Sequence, residues 1–442
     1  MTARAGVARP VDRLLAAADP AWLFSIGIAL TMFSGNWGEL GVSMPLDRIV
    51  LLMGVLSLAL RIPLGERWAL RPRLPHYAMA AAVAYVLVSA YLSSTLGQHN
   101  ADFALLDRFG VIPFVAFMLA PLAFPGRRER MILAGVLTVT GAYLGMTALF
   151  ETAHFNSLIW PRYILDPNVG IHQGRARGPF VEAGANGMAL WGCAVAATVV
   201  VFQARALLVR LASAAVGLLC VAGILFTLTR AIWLGAGIAA VLTLFGMREL
   251  RRFAVPVLVA GLAIVMGALV AVPSLSAHAS TRERDKAPLW DRYNSNRAAL
   301  NMVLDKPLVG IGWSRYPYVS SGYDQLSPDY PLTTVPAVHN IYLSNAAELG
   351  LIGFSAWAAA LIAGVGGALL SRPPPQLRIW RAALFAIAIE WAVVGGFGPL
   401  SYTFANLLLW TFAGIVYGRS AFPVVRRRRE PSAVPVPVTS MG

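Results

Sequence analysis

Five arginines and one histidine stand either at the ends of long apolar stretches or on a short helix predicted at 291–306. They are Arg175, Arg177, Arg230, Arg292, Arg297 and His339. A guanidinium is permanently charged and donates paired hydrogen bonds to phosphate oxygens. Several guanidiniums that converge can grip a diphosphate and stabilise it as a leaving group. An imidazole can accept a proton near neutral pH.

His339 opens the segment 339-HNIYL-343, where a long polar stretch meets an apolar run. At that junction a ring can be held rigidly at the depth of the lipid headgroups, partly screened from water. Asn340 and Tyr342 share the junction. The alternative is that His339 is an ordinary loop residue.

The arginines also have a simpler interpretation. Arg177 and Arg297 could contact outer-leaflet headgroups, with their aliphatic stems along apolar surface. Arg230 differs because it lies in the tight hairpin 226-FTLTRAIWLG-235, which has almost no other polar side chains. A guanidinium in that setting favours an anion as its partner.

The elements that carry these residues are predicted to be membrane helices. The 442-residue chain is 57% hydrophobic and only 13% charged, and its mean hydropathy is +0.65. Soluble domains carry about 25% charged residues. Apolar runs of spanning length recur without the alternation of barrel strands, so we predict an all-α polytopic membrane protein with about 12 transmembrane helices. The predicted spans are 21–43, 46–60, 77–97, 109–124, 131–151, 184–202, 211–229, 231–246, 254–273, 341–370, 382–398 and 402–418.

Basic charge predicts the orientation. The formal net charge is +15, and arginines crowd the N-terminal tail, alternate short connections and the C-terminal tail. The positive-inside rule then places both termini in the cytoplasm. Basic charge here signals topology and gives no indication of nucleic acid. We predict transmembrane helices 1–9 in 1–273, with a smaller periplasmic loop near 152–183. A large periplasmic loop with short helices follows at 274–340, then helices 10–12 in 341–418 and a basic, Pro-rich cytoplasmic tail at 419–442.

Several kinds of chemistry find no motif in the chain. There is no Walker-type loop or dinucleotide fingerprint, so nucleotide hydrolysis is not expected. A reaction or transport process at the outer face would then have to be driven by a gradient or by an already activated substrate. The histidines show no metal-ligand spacing, and no metal or cofactor is expected. Cys193 and Cys220 read as small buried residues. Glu390, inside a predicted span, is either functional or a protonated or paired structural group.

Four segments, taken in order, resemble the O-antigen ligase/polymerase superfamily of bacterial inner membranes, and within it the ligase family (WaaL). They are 175-RARGPFVEAGANG-187, the Thr227–Arg230 hairpin, Arg292 followed by 307-PLVGIG-312, and 339-HNIYL-343 with 348-ELGLIG-353. The chain departs from the family pattern at Thr229, where serine is usual, and at Asn296, where tryptophan is frequent.

The resemblance implies a metal-independent, inverting glycosyltransferase of the inner membrane with a periplasmic active site. Its donor would be O-antigen polymer on undecaprenyl diphosphate, and its acceptor a sugar hydroxyl of lipid A–core. His339 would be the general base, with Arg230 and Arg292 as catalytic cations. The expected substrate-binding residues are Arg175, Arg177, Arg297, Asn340 and Tyr342. An O-antigen polymerase, a protein O-oligosaccharyltransferase and, outside the superfamily, a small-anion transporter remain alternatives.

Overall fold

A computed structural model describes residues 19–61, 67–68, 71–247, 250–271, 287–323, 337–420 and 424–425. The N-terminal tail, most of the predicted C-terminal tail 419–442 and parts of the predicted large outer loop lie outside the described residues. The described part of the chain is helical apart from one short antiparallel ladder, in which Arg67 pairs with Val425 and Trp68 with Val424.

A helix occupies each predicted span. The α-helices are α1 Pro20–Leu30, α2 Leu46–Leu60, α3 Leu74–Leu92, α4 His99–Phe103, α5 Val111–Ala123, α6 Arg127–Thr152, α7 Ala183–Gln203, α8 Leu207–Phe226, α9 Arg230–Gly246, α10 Ala254–Ala271, α11 Ala287–Asp305, α12 Tyr316–Val319, α13 Ile341–Leu361, α14 Gly367–Leu370, α15 Arg378–Gly395 and α16 Thr403–Tyr417. Two π-helical stretches, Ala104–Phe109 and Ile362–Gly366, extend α4 and α13. The 3₁₀ turns are Thr31–Phe33, Gly38–Leu40, Asn156–Leu158, Arg162–Leu165, Gly178–Phe180, Arg251–Phe253, Ser320–Gly322 and Pro375–Leu377.

Six of these helical segments are long and apolar enough to cross a membrane. They are Leu74–Leu92, His99–Ala123, Arg127–Thr152, Ala183–Gln203, Leu207–Phe226 and Ile341–Leu370. Pro20–Phe33, Arg230–Gly246 and Thr403–Tyr417 are apolar but shorter. The molecule is therefore a polytopic helical membrane protein, while about 12 crossings and both ends in the cytoplasm stay predictions.

The first helical segment is shorter than its apolar run suggested. The sequence predicted a span over 21–43, but the helix ends with the 3₁₀ turn at Phe33. Gly35 and Gly41 then have φ of +85° and +72°, which breaks the helical path. The residues between them form turns that pack against the loop after α6, with Asn36 Nδ2 donating to Pro179 O at 3.2 Å.

Helix α7 lies at the centre of the bundle. Its apolar window is 83% buried, whereas that of α8 is only 22% buried. Small residues allow this close packing: Leu408 of α16 packs over Gly192, and the free, buried cysteines Cys193 and Cys220 both pack against Gly141. The N-terminal end of α7 is thus fixed by several helices at once, which matters because the candidate site surrounds that end.

Three buried carboxylates differ in their partners: two are paired with arginines, and the third is not. Asp107 accepts two hydrogen bonds from Arg48, at 2.5 and 2.7 Å, and Glu348 pairs with Arg108 at 2.7 Å. Glu390 is buried against Gly235 of α9, and its Oε1 has no hydrogen-bond partner within the described ranges. Because an ionised carboxylate is costly to bury alone, a neutral Glu390 fits this position.

Candidate active site

Two of the segments singled out in the sequence bind each other. The loop 307-PLVGIG-312 runs beside 348-ELGLIG-353 of α13 and exchanges four backbone hydrogen bonds with it. The bonds are Leu351 N to Pro307 O (2.7 Å), Ile352 N to Leu308 O (3.2 Å), Ile311 N to Ala347 O (3.0 Å) and Gly312 N to Glu348 O (2.9 Å). In an unbroken helix these α13 groups would bond to each other. We name this loop the strap. Its backbone groups take the place of the missing helical partners, so each of these α13 groups is still hydrogen-bonded.

Two glycines permit the strap. Gly350 has φ +65° and ψ −178°, a conformation that interrupts α13 and that side-chain-bearing residues rarely adopt. A Cβ on Gly350 would lie 2.3 Å from Leu308 O, and one on Gly310 would lie 2.4 Å from Gly350 N. The strap joins α11, which carries Arg292, to α13, which begins just after His339.

Alanine at Gly350 is expected to disrupt this junction. The added Cβ meets backbone atoms on both sides in a left-handed conformation, so Gly350→Ala should destabilise the fold by about 3 kcal/mol. Thermal unfolding in detergent measures the loss. Gly322→Ala is the matched control, since a Cβ there has no atom within 4 Å. Equal unfolding temperatures for the two variants would contradict the role of the strap.

His339 lies in the lead into α13 and is only partly exposed. Asn340 caps the helix by accepting a hydrogen bond from Leu343 N at 3.1 Å, which fixes the backbone beside the ring. The imidazole bonds to the backbone of Ala337, while its Nδ1 is buried without a hydrogen-bond partner in the described structure. Burial first, and then the charge of Arg292, lower the pKa of His339. The ring is therefore neutral at pH 7 and can accept a proton.

Helix α11 presents its two arginines differently. Arg292 is exposed and close enough to act on His339 electrostatically. Arg297 is also exposed, but its Nη1 donates to Tyr293 Oη at 3.0 Å and its guanidinium leans over that ring. Of the two arginines of α11, Arg292 is thus the one that interacts electrostatically with the imidazole of His339.

A second imidazole enters the site from the loop before α7. His172 Nδ1 lies 3.1 Å from Glu182 Oε1, and His172 also acts electrostatically on His339. Glu182 caps α7 by accepting from the backbone N–H groups of Gly184 and Ala185. Burial acts to raise the pKa of Glu182, but hydrogen bonds from His172 and from these amides outweigh it, and the pKa is lowered. An ionised Glu182 therefore holds His172 in place.

Tyr402 completes this group from the start of α16. Its hydroxyl is hydrogen-bonded to Glu182. Burial and then the charge of Glu182 raise the pKa of Tyr402 well above its usual value, so the phenol stays protonated and donates. Arg292 also acts electrostatically on Tyr402. The group His172–Glu182–Tyr402 and the pair Arg292–His339 therefore form one cluster.

Arg177 is committed to the loop that contains it. Its side chain is buried and donates four hydrogen bonds of 2.7 to 2.8 Å within that loop. The acceptors are Val169 O, Gln173 Oε1, Ile164 O and Asp166 O. Glu151 of α6 binds the backbone N–H groups of Arg177 and Gly178. This geometry supports a structural role for Arg177, because few of its donors remain for a substrate.

Removing Arg177 should therefore cost stability. Arg177→Ala leaves three loop carbonyl groups, of which that of Ile164 is buried, without a charged donor, and we expect a loss of about 3 kcal/mol. Thermal unfolding of the purified variant tests this. Arg162→Ala is the control, because Arg162 also bonds loop carbonyls but its bonds are exposed. A stable Arg177→Ala variant with weakened donor binding would instead restore Arg177 as a substrate contact.

The segments of Arg175 and Arg230 are docked onto each other. Ala176 N donates to Phe226 O at 3.0 Å, and Asn186 Nδ2 of α7 holds Ala176 O at 3.0 Å. Arg230, which is exposed, begins α9, and Ile232 packs against Gly187 in the first turn of α7. Both arginines thus lie around the same helix end that Glu182 caps.

Tyr342 is directed into the bundle. Its hydroxyl donates to Ala392 O at 2.9 Å, and its ring packs edge-on against Trp357 and Trp391. Three of the predicted substrate-binding residues therefore make structural contacts, namely Arg177, Asn340 and Tyr342. The elements that meet around the site carry the other predicted residues Arg175, Arg230, Arg292 and His339.

Sequence reasoning missed His172 and Tyr402. Both are single residues far apart in the chain, and they meet only because α16 packs against α7. One signal was available for Glu182: an acidic residue before the small-residue start of a span is typical of a helix N-cap.

The fold and the cluster define a multi-pass membrane protein with a basic, imidazole-bearing candidate site where five chain segments meet. Residues 214–358 match the family model described as O-antigen ligase. This match covers about a third of the chain and supports the resemblance of that part to the O-antigen ligase family, while the narrower assignment to the WaaL ligases stays a prediction. The match contains Arg230, Arg292, the strap and His339. No curated protein matches the chain.

Proposed function

We propose that this protein transfers O-antigen polysaccharide from undecaprenyl diphosphate to a sugar hydroxyl of lipid A–core at the periplasmic face. The observation that carries the proposal is the pairing of Arg292 with His339, two family-matched residues whose helices the strap joins. An exposed guanidinium and a neutral imidazole side by side suit a reaction in which a diphosphate leaves as a hydroxyl loses its proton.

The proposed step is a single inverting displacement. The acceptor oxygen forms a bond to the anomeric carbon of the polymer as the bond from that carbon to the diphosphate oxygen breaks. The hydroxyl proton passes to His339, and undecaprenyl diphosphate leaves with the electron pair. Arg175, Arg230 and Arg292 bind the diphosphate, and their charge disperses the negative charge that develops on it. Arg297 contributes a weaker contact at the rim.

Reconstitution in proteoliposomes tests the reaction. Lipid-linked polymer, lipopolysaccharide lacking O-antigen and the purified protein are combined with and without a chelator. We expect polymer-capped lipopolysaccharide in both samples, because the arginines can supply the charge that a metal would otherwise provide. Loss of product on chelation would contradict metal independence.

The choice between ligase and polymerase depends on the acceptor. Deleting the gene should remove all attached polymer from the cell surface if the protein ligates. Survival of lipopolysaccharide bearing one repeat would instead indicate a polymerase, and unchanged lipopolysaccharide with altered pilin glycosylation a protein O-oligosaccharyltransferase.

A further inference from the structure

A groove of about 950 Å³ runs along the outside of α6, where Trp22 of α1 forms its other wall. Its lining comprises Trp22, Arg127, Arg128, Met131, Ile132, Gly135, Val136, Val139 and Thr140. Apart from the two arginines the lining is almost entirely apolar, and Thr140 uses its hydroxyl on Val136 O. The groove therefore has one cationic end and a long apolar wall.

The cationic end is accessible. Arg128 is 73% exposed, and its Nη1 lies 3.7 Å from Asp19 Oδ2. Arg127 reaches the backbone carbonyl of Gln203 with one nitrogen and keeps its remaining donors for other partners. Glu129, the other acid on this turn, folds back over Gly126. Among the described residues of this end, Arg127, Arg128 and Arg130 outnumber Asp19 and Glu129, which leaves an excess of positive charge.

This end is far from the candidate active site. Helix α6 is continuous from Arg127 to Thr152, and Glu151, near its other end, binds the backbone of Gly178 in the site loop. At about 1.5 Å per residue, Arg127 and Glu151 are separated by about 36 Å along the helix, roughly the thickness of a bilayer. The groove thus belongs to the opposite membrane leaflet from the site.

The apolar wall has the length of a lipid chain. From Arg127 to Thr140 the helix rises about 20 Å, compared with about 15 Å of hydrocarbon in one leaflet. Gly135 opens the middle of the wall, since a Cβ there would have no atom within 4 Å. Val139 is 71% exposed and Trp22 46% exposed at its sides.

We propose that this groove binds one anionic phospholipid of the leaflet opposite the active site. The headgroup phosphate lies against Arg127 and Arg128, and one acyl chain lies along Met131, Gly135 and Val139. Charge complementarity selects the anionic headgroup, and the open glycine position accommodates the chain. The site is independent of the glycosyl-transfer proposal.

Native mass spectrometry of the full-length protein in mixed micelles tests this proposal. The probes are phosphatidylglycerol and phosphatidylcholine with identical chains. We expect preferential retention of phosphatidylglycerol, weakened about tenfold in Arg127→Gln/Arg128→Gln, because each basic residue near a headgroup contributes severalfold in affinity. Gly135→Leu should weaken both lipids by filling the chain position.

Matched controls separate the groove from general surface effects. Arg419→Gln removes an exposed arginine outside the groove, and Gly237→Leu fills an open helix position elsewhere. Both should retain phosphatidylglycerol as the unmodified protein does. Equal retention of the two lipids, unchanged retention in the groove variants, or displacement of phosphatidylglycerol by a polyprenyl phosphate would each overturn the proposal.

Discussion

His339→Ala is expected to lower the rate of polymer transfer by about 10²- to 10⁴-fold, the usual contribution of a general base. The protein should still fold and insert, because the hydrogen-bond cap of α13 comes from Asn340 and the strap lies beyond it. Single-turnover transfer in proteoliposomes measures the loss. His99→Ala is the control, since His99 is an exposed histidine that packs only on Phe103 among the described rings.

The pH dependence of transfer provides a second measurement on the same group. The neutral ring is the active form, so the rate should fall as pH drops through the folded pKa of His339. That pKa is lowered from 6.5 by burial and by Arg292, so the rate should be level at pH 7 and fall at more acidic pH. Arg292→Gln removes one lowering charge and should move this acidic limb to higher pH. A stable His339→Ala variant that transfers normally would remove the catalytic role.

Arg230→Gln and Arg292→Gln are each expected to reduce transfer by about 10²- to 10³-fold, as loss of one preorganised donor to a developing charge typically does. Both residues are exposed at the site, so stability should change little. The lysine variants should recover only part of the rate, because an ammonium cannot make the paired contact of a guanidinium. Rates at saturating donor separate this effect from weaker binding.

Arg162→Gln is the matched control for these arginine variants. It removes a cation from the smaller outer loop near 152–183, where the guanidinium of Arg162 donates to the Asn156 and Ser157 carbonyls. Its transfer rate should stay within about twofold of the unmodified protein, since rim charges contribute little. Equal losses in all three variants would show that loop charge in general, and not the Arg230 and Arg292 positions, governs transfer.

Much of the fold could be predicted because lipid restricts the choices. An apolar run of spanning length must be helical, and each such run contains a helix. The predicted length of the first span, 21–43, was wrong because the local backbone conformation interrupts the helix. The helical segment ends at Phe33, and Gly35 and Gly41 have positive φ angles. The run 341–370 likewise gives no sign that Gly350 breaks α13, because its preference for an irregular conformation depends on the strap that lies against it.

The candidate site was only partly predictable. Arg175 and Arg177 have the same side chain two residues apart, yet Arg177 is buried among loop carbonyls while Arg175 stays partly exposed. The difference arises from how residues 164–173 fold back over Arg177, which depends on tertiary contacts. His172 and Tyr402 carry no motif of their own, and only the packing of α16 against α7 brings them to Glu182.

The exchange of hydrogen bonds at Gly350 also limits how the enzyme can move between rounds of transfer. Parting the strap that follows α11 from α13 would break four backbone hydrogen bonds at once, which is a large barrier unless water replaces them. The side of the pocket that contains His339 should therefore stay rigid during the reaction cycle. Loading of the carrier and departure of the spent one are then expected to depend on movement of the Arg230 segment, which accepts a backbone hydrogen bond from Ala176 N at Phe226 O.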